Sequence, residues 1–278
     1  MIPDPELPLF LIRDGLITPE QEWQPLPGGQ TNQLWRVGDL VVKRYVPQNA
    51  NPCFPNDPVH EAAVLQHLSG QGLAPRLTKR VELNGVDYLL YTHLDGGNWR
   101  QDTAPVGAML RRLHNVPVLA GLRQLPGGSV ANVDQVEAML LSLPSDIVAE
   151  IQVKRPLTEV APAKTQVLLH GDAVPGNIIV TNEGLRLIDW QCPAIGDPVE
   201  DLAIFLSPAM QQIYRGSPLS DSEIDVFLAS YGDDAVVSRL LALRPWHHWA
   251  MAAYCGWKAV RGAPNYRQAM QLELDALE

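Results

Sequence analysis

Residues 167–190 read VLLHGDAVPGNIIVTNEGLRLIDW. Two short apolar runs, Val167–Leu169 and Ile178–Val180, flank a polar loop. A turn at Thr181-Asn182-Glu183-Gly184 follows, and a third run, Leu185–Ile188, ends on Asp189. Apolar runs of this length bounded by turn residues read as short buried strands. Three oxygen-bearing side chains punctuate them: Asp172, Asn177 and Asp189. Presented from neighbouring strand ends, they are the type of group that holds a hard divalent cation and orients a hydroxyl. Each alone is also an ordinary turn residue, since Asp and Asn side chains bond readily to nearby backbone. The reading rests on the combination.

Upstream, Trp23–Leu26, Gln33–Val37 and Leu40–Tyr45 are strand candidates, joined by Pro27-Gly28-Gly29-Gln30-Thr31-Asn32 and by a tight turn at Gly38-Asp39. Gly28 and Gly29 allow close approach of backbone to a phosphate, and Thr31 and Asn32 offer donors, although an ordinary hairpin turn has the same composition. Lys43 alternates with Val41 and Tyr45, so it shares a face with apolar residues and needs a counter-charge or a ligand. A helix begins at Asn56-Asp57-Pro58, with proline suited to its first turn, and runs to about Leu68. Glu61 lies one and two turns before Leu65 and Leu68, which places its carboxylate on the buried face. A strand lysine and an inward helix glutamate make an ion pair that can hold the lysine against nucleotide phosphates. Arg76–Leu83 and Val86–Thr92 form a hairpin about Asn84-Gly85, completing a five-stranded antiparallel sheet with one inserted helix. His93–Gly97 is a crossing, and it sets the expected division into residues 1–94 and 95–278.

Beyond it, the spacing of Val106, Met109, Leu110 and Leu113 predicts a helix over 103–114, and another is expected over 131–143. The rest of 115–165 is punctuated by Pro144, Pro156 and Pro162. After Trp190 the chain reads as mainly helical: one helix over 198–214 capped by Asp197, one opened by Ser220-x-x-Glu223 and stopped by Gly232, then helices over 234–243, 245–260 and 265–277. Trp246, Trp249, Tyr254 and Trp257 follow helical spacing, which favours core over a cage for a cationic ligand.

Composition narrows the function. The net charge is −10 and no basic cluster occurs, which argues against nucleic acid as the partner. The 278 residues, 46% hydrophobic, can build a sizeable core, yet no run approaches the roughly 18 apolar residues of a membrane span. Cys53, Cys192 and Cys255 are far apart and form no metal or disulfide pattern, and no leader-like segment opens the chain. A cytoplasmic protein without a membrane partner is expected. Oligomeric state is not legible.

The order glycine pair, Lys43, Glu61, H-G-D-x-x-x-x-N at 170–177 and I-D-W at 188–190 follows the order of the protein-kinase motifs. The H-G-D and I-D-W forms, with G-D-P-x-x-D-L-A after them, resemble the aminoglycoside phosphotransferase and choline kinase superfamily, which includes thiamine-kinase-like and homoserine-kinase-like members. The resemblance spans roughly Trp23 to Leu206. It implies an α+β, bilobal, protein-kinase-like fold, with a nucleotide-binding lobe over 1–94 and a catalytic and substrate-binding lobe over 95–278. It implies that Asp172 orients the acceptor hydroxyl and takes its proton, that Asn177 and Asp189 bind Mg2+, and that Lys43, held by Glu61, contacts the phosphates of ATP under the loop of Gly28, Gly29, Thr31 and Asn32. The implied activity is transfer of the γ-phosphate to a hydroxyl of a small molecule, choline-, thiamine- or aminoglycoside-like, and so in several cases cationic. A catalytically weak nucleotide-binding regulatory protein is the alternative. A metal-dependent hydrolase using His170, Asp172 and Asp189 leaves Lys43 and Glu61 unexplained. Two positions depart from the pattern: Val174 replaces a polar residue, and Gln191 stands where many members carry Glu. Asp201 is expected to brace the catalytic loop, with Glu200 beside it available to a cationic substrate.

Overall fold

The computed structural model describes residues 4–27, 31–46 and 53–278. The chain divides into two compact units, Met1–Asp95 with Ile188–Cys192, and Gly96–Leu187 with Pro193–Glu278. The fold is α+β, with antiparallel sheet in the first unit and mainly helix in the second.

The first unit contains α1 (Glu6–Arg13), β1 (Trp23–Pro25), β2 (Gln33–Val37), β3 (Leu40–Arg44), α2 (Pro58–His67), β4 (Leu77–Leu83) and β5 (Val86–Thr92). The strands form one antiparallel sheet in the order β1-β2-β3-β5-β4. The β4–β5 hairpin turns on Asn84 and Gly85, both at positive φ, the combination that matches strand twist in a two-residue turn. Strand β3 is central and buried on both faces. Val42 points into a cluster with Leu7, Leu11, Trp35, Val37, Tyr88 and Leu90, so α1 seals that side. Alternation then puts Val41 and Lys43 on the other face. Helix α2 packs against β4 and β5 and buries Val64 and Leu65. Its start is fixed by Asp57, whose carboxylate accepts from the N–H groups of Val59 and His60, with Pro58 at the first position.

The second unit contains β6 (Gly97–Asn98), α3 (Ala104–His114), β7 (Arg123–Gln124), α4 (Ser129–Leu140), α5 (Ser145–Gln152), β8 (Val167–Leu169), β9 (Ile178–Thr181), β10 (Gly184–Leu187), β11 (Ala194–Gly196), α6 (Val199–Leu206), α7 (Pro208–Tyr214), α8 (Asp221–Tyr231), α9 (Asp234–Ala259) and α10 (Asn265–Asp275). Two small sheets frame the polar loop. One is β10-β9-β6 and the other β7-β11-β8. The runs at 167–169 and 178–181 are therefore not ladder partners: β8 pairs with β11, and β9 with β10 and β6.

Two helix boundaries differ from the sequence pattern, both at proline. The helix expected over 198–214 is two, because Ser207 is extended (ψ 119) and caps α7 through Met210 N–H with Pro208 at the first position. Conversely, α9 runs unbroken through Pro245. An internal proline removes one backbone bond and costs about 3 kcal/mol. Leu240, Leu243, Trp246 and Trp249 are buried on both sides of it, and that packing offsets the loss. Trp246 Nε1 and Trp249 Nε1 donate to the carbonyls of Thr158 and Ile151, so these two rings are core and tie down the 144–165 segment. Among the described residues no helix is long and apolar enough to cross a membrane.

Candidate active site

The first unit buries a compact ionic group. Lys43 is 1% exposed. Its Nζ donates to Glu61 Oε2 at 2.6 Å and to Asp189 Oδ1 at 2.5 Å. Glu61, also 1% exposed, accepts a further bond from the Tyr45 hydroxyl, and Lys43 Nζ sits 5.1 Å from the Tyr45 ring centroid. Burial opposes the Lys43 charge, but Asp189 and Glu61 outweigh it and raise its pKa, so it stays protonated. Burial pushes the Glu61 carboxyl up, and Lys43 pulls it back in part. Asp189 is the more open member, with 34% of its side chain exposed, and it stands at φ 62, a left-handed conformation that aspartate tolerates better than most residues. A non-glycine residue held there signals surroundings that over-determine it.

The second unit holds the polar loop by backbone. His170 N–H and Gly171 N–H both donate to Asp201, at 2.8 Å each. Asp201 is fully buried and also meets His114 Nε2 at 3.3 Å, while His114 Nδ1 meets the Tyr231 hydroxyl at 2.9 Å. Burial works against its charge, yet the His114 and His170 contacts prevail and lower its pKa. Gly171 at φ 78 supplies a bend that other residues resist. The His170 ring accepts from Asp172 N–H at 3.2 Å, a structural role within the loop. Asp172 is half-buried and takes the Asn177 Nδ2 donor on both its carbonyl (2.9 Å) and its carboxylate (3.1 Å). A short 3₁₀ turn, Pro175–Asn177, delivers Asn177. A side chain at Gly176 would collide with the Tyr214 ring, which a Cβ would approach to 2.5 Å. Val174, the apolar departure, is buried and forms part of the loop's support.

In the second unit, both bonds of the Asn177 side chain use its nitrogen, which leaves Oδ1 outside them. In the first, Asp189 presents a partly exposed carboxylate. Amide and carboxylate oxygens are both of the hard kind that divalent cations take. Among the described residues no group of three His, Cys, Asp or Glu forms a metal cluster.

Of the loop residues, Gly28 and Gly29 lie outside the described residues. Thr31 is half-buried. Asn32 is 6% exposed, and both ends of its amide are engaged, with Gln191, Asn56 and Val46. It fixes the loop's end rather than presenting a free donor. Sequence reasoning missed Tyr45 as a partner of Glu61, although its alternation with Lys43 was the available signal. His114, Tyr231 and Asn56 carried no signal of their own.

A further set of charges surrounds α6. Glu200, 25% exposed, has its pKa pushed up to about 8 by burial and by Asp197 and Asp201. Asp197 is bonded by Arg239, and His247 Nδ1 stands 3.9 Å from Glu200. Burial brings the His247 pKa down to about 4, so this ring is neutral and does not balance the carboxylates.

A model of the phosphotransferase enzyme family matches residues 22–246, and the chain belongs to that family. With the kinase-like fold, this makes it an enzyme of the small-molecule kinase class. A probable ketoamine kinase of Thermus thermophilus is 29% identical over 226 residues, covering 76% of this chain and 80% of that protein. Among solved structures, the GDP and kanamycin complex of APH(2'')-IIIa aligns with a TM-score of 0.67 at 15% identity, covering 98% of this chain and 97% of its own. An amicoumacin kinase in complex with AMP-PNP and Ca2+ aligns at 0.63 and 15% identity, covering 97% and 93%.

Proposed function

We propose that the protein transfers the γ-phosphoryl group of ATP to a hydroxyl of a small, amine-bearing molecule, with Mg2+ as cofactor. The observation that carries the reading is the loop in which Asp172, bonded by Asn177, is held through two backbone N–H groups on buried Asp201. Phosphoryl transfer depends on positioning and charge neutralisation more than on covalent help, and a carboxylate fixed in this way is a positioning device. Asp172 orients the acceptor hydroxyl and receives its proton. The acceptor oxygen forms the new bond to phosphorus, the bond to the bridging β–γ oxygen breaks, and ADP departs. Lys43, kept charged and oriented by Glu61, contacts the α/β-phosphates, and Gly28, Gly29, Thr31 and Asn32 belong to the nucleotide-binding segment. Asn177 and Asp189 hold the magnesium ion, which when bound neutralises phosphate charge. Residues 1–94 serve nucleotide binding, and 95–278 serve catalysis and acceptor binding.

Choline-, thiamine- and aminoglycoside-like molecules all join a hydroxyl to a cationic nitrogen. The relative named for ketoamines adds ketoamines to the candidates. The net charge of −10 favours such cations. The test is an ATP-consumption screen over amino alcohols, thiamine, homoserine, sugars, ketoamines, aminoglycosides and peptides, with Asp172→Ala as control. Turnover on one amine-bearing acceptor, lost in the variant, is expected. Undiminished transfer by Asp172→Ala would remove that residue's role. Nucleotide binding with no turnover on any acceptor would favour the regulatory alternative.

A further inference from the structure

Gln191, where the family often carries a charged Glu, is buried at 4% exposure. Its side-chain oxygen accepts from Asn32 Nδ2 at 2.8 Å. Its main-chain carbonyl accepts from the N–H of Asp57, the cap of α2, at 3.3 Å. Asn32 and Asn56 exchange a reciprocal amide pair, at 2.7 and 2.9 Å. Val46 N–H, at the end of the Lys43 strand, donates to Asn32 Oδ1 at 3.0 Å. Followed round, the contacts close a circuit. Gln191 binds Asn32 and the start of α2, α2 carries Glu61, Glu61 holds Lys43, and Lys43 holds Asp189, two residues before Gln191.

We propose that Gln191 is a positioning residue for the nucleotide and its metal. It fixes Asp189 in its left-handed conformation and ties it, through Asn32, to the end of the glycine-containing loop. The inference rests on the function proposed above. A residue in a sparsely populated conformation persists only if both sides of it are held. On the Asp189 side the holder is Lys43, and on the other it is the two-ended grip of Gln191. Asn32 needs an oxygen to donate to, and the side-chain oxygen at position 191 supplies it.

The test measures binding of the magnesium complex of AMP-PNP by calorimetry, together with hydrogen exchange at the Val46 amide. Gln191→Met keeps length and removes the acceptor. It is expected to weaken binding about five-fold, the scale of one buried hydrogen bond. It should also raise the Mg2+ needed for half-saturation, speed exchange at Val46 and leave the acceptor KM unchanged. Gln191→Glu keeps an acceptor oxygen and is expected to recover most of the lost affinity. If Gln191→Met gives no cooperative melt, Gln191→Asn, which draws the oxygen back by one methylene, is expected to show the same loss. Binding equal to wild type in either variant overturns the role, as does Gln191→Glu binding no better than Gln191→Met. Wild-type protein that binds no magnesium nucleotide overturns the proposed function and this role with it. Wild-type binding with an unaffected variant overturns this role alone.

Discussion

The two groups of candidate residues are held by different physics. Around Lys43, opposite charges are held against each other, and buried Lys43 and Glu61 each feel the other's charge in their own protonation. Around Asp172, the loop hangs by main-chain N–H groups on one buried carboxylate, and the reacting residue itself is half-open. A buried ion group fails when a charge is removed, because its partner is left uncompensated. A backbone-held loop tolerates changes at the reacting side chain, because that side chain is not what holds it. Function and stability should therefore separate in the second group and move together in the first.

The sharpest break is Asp172→Ala. Turnover should fall about 10³-fold, within the range for a positioned proton acceptor, while the melting temperature stays within a degree or two. A melt that collapsed alongside the rate would erase the contrast. Next comes Glu61→Ala, expected to cost about 3 kcal/mol of stability, since Lys43 and Tyr45 both lose a buried partner. Denaturant unfolding reads the first effect, and a raised KM for ATP reads the accompanying loss of lysine alignment. Asp201→Asn should lower kcat about ten-fold and leave the KM for ATP within two-fold, because weaker acceptance from His170 and Gly171 loosens the loop alone. An equal rise in KM would place Asp201 in nucleotide binding instead.

The smallest effect concerns pH. Glu200 has a folded pKa of about 8, above its unfolded value of 4.5. Between those values the folded state binds the proton more tightly, so stability falls as pH rises from about 4.5 and levels off above about 8. Glu200→Gln should remove that slope. Its melting temperature relative to wild type should climb from pH 5 to pH 8, modestly, because a quarter of the side chain meets water. A flat difference would show that the neighbouring carboxylates do not press on Glu200.

The features legible in the sequence were those with local causes. Alternation put Lys43 on a buried face, helical spacing turned Glu61 inward, and Asn84-Gly85 fixed a hairpin. The order of His170, Asp172, Asn177 and Asp189 was enough to identify the chemistry class. What stayed hidden depends on partners distant in sequence. Asn32 reads as a phosphate donor until its bond to Gln191, 159 residues away, is seen. The two proline boundaries misled in opposite directions, because Pro208 follows a capping serine whereas Pro245 lies between buried tryptophan and leucine layers. Sequence shows the proline in both cases, but only packing shows which helix survives it.

The return of Ile188–Cys192 to the first unit bears on the order of synthesis. A nascent chain that has emerged only as far as Asp95 possesses Lys43, Glu61 and Tyr45, but neither Asp189 nor Gln191. Its lysine has one carboxylate, and Asn32 has only Asn56 and Val46 to bond. The ion pair that completes the group closes over 146 residues of chain, and the amide bond over 159. Contacts so remote carry a loop-closure entropy that local hairpins do not, so they form late. The first unit, most of it synthesised before the second, is among the last parts of the molecule to be finished.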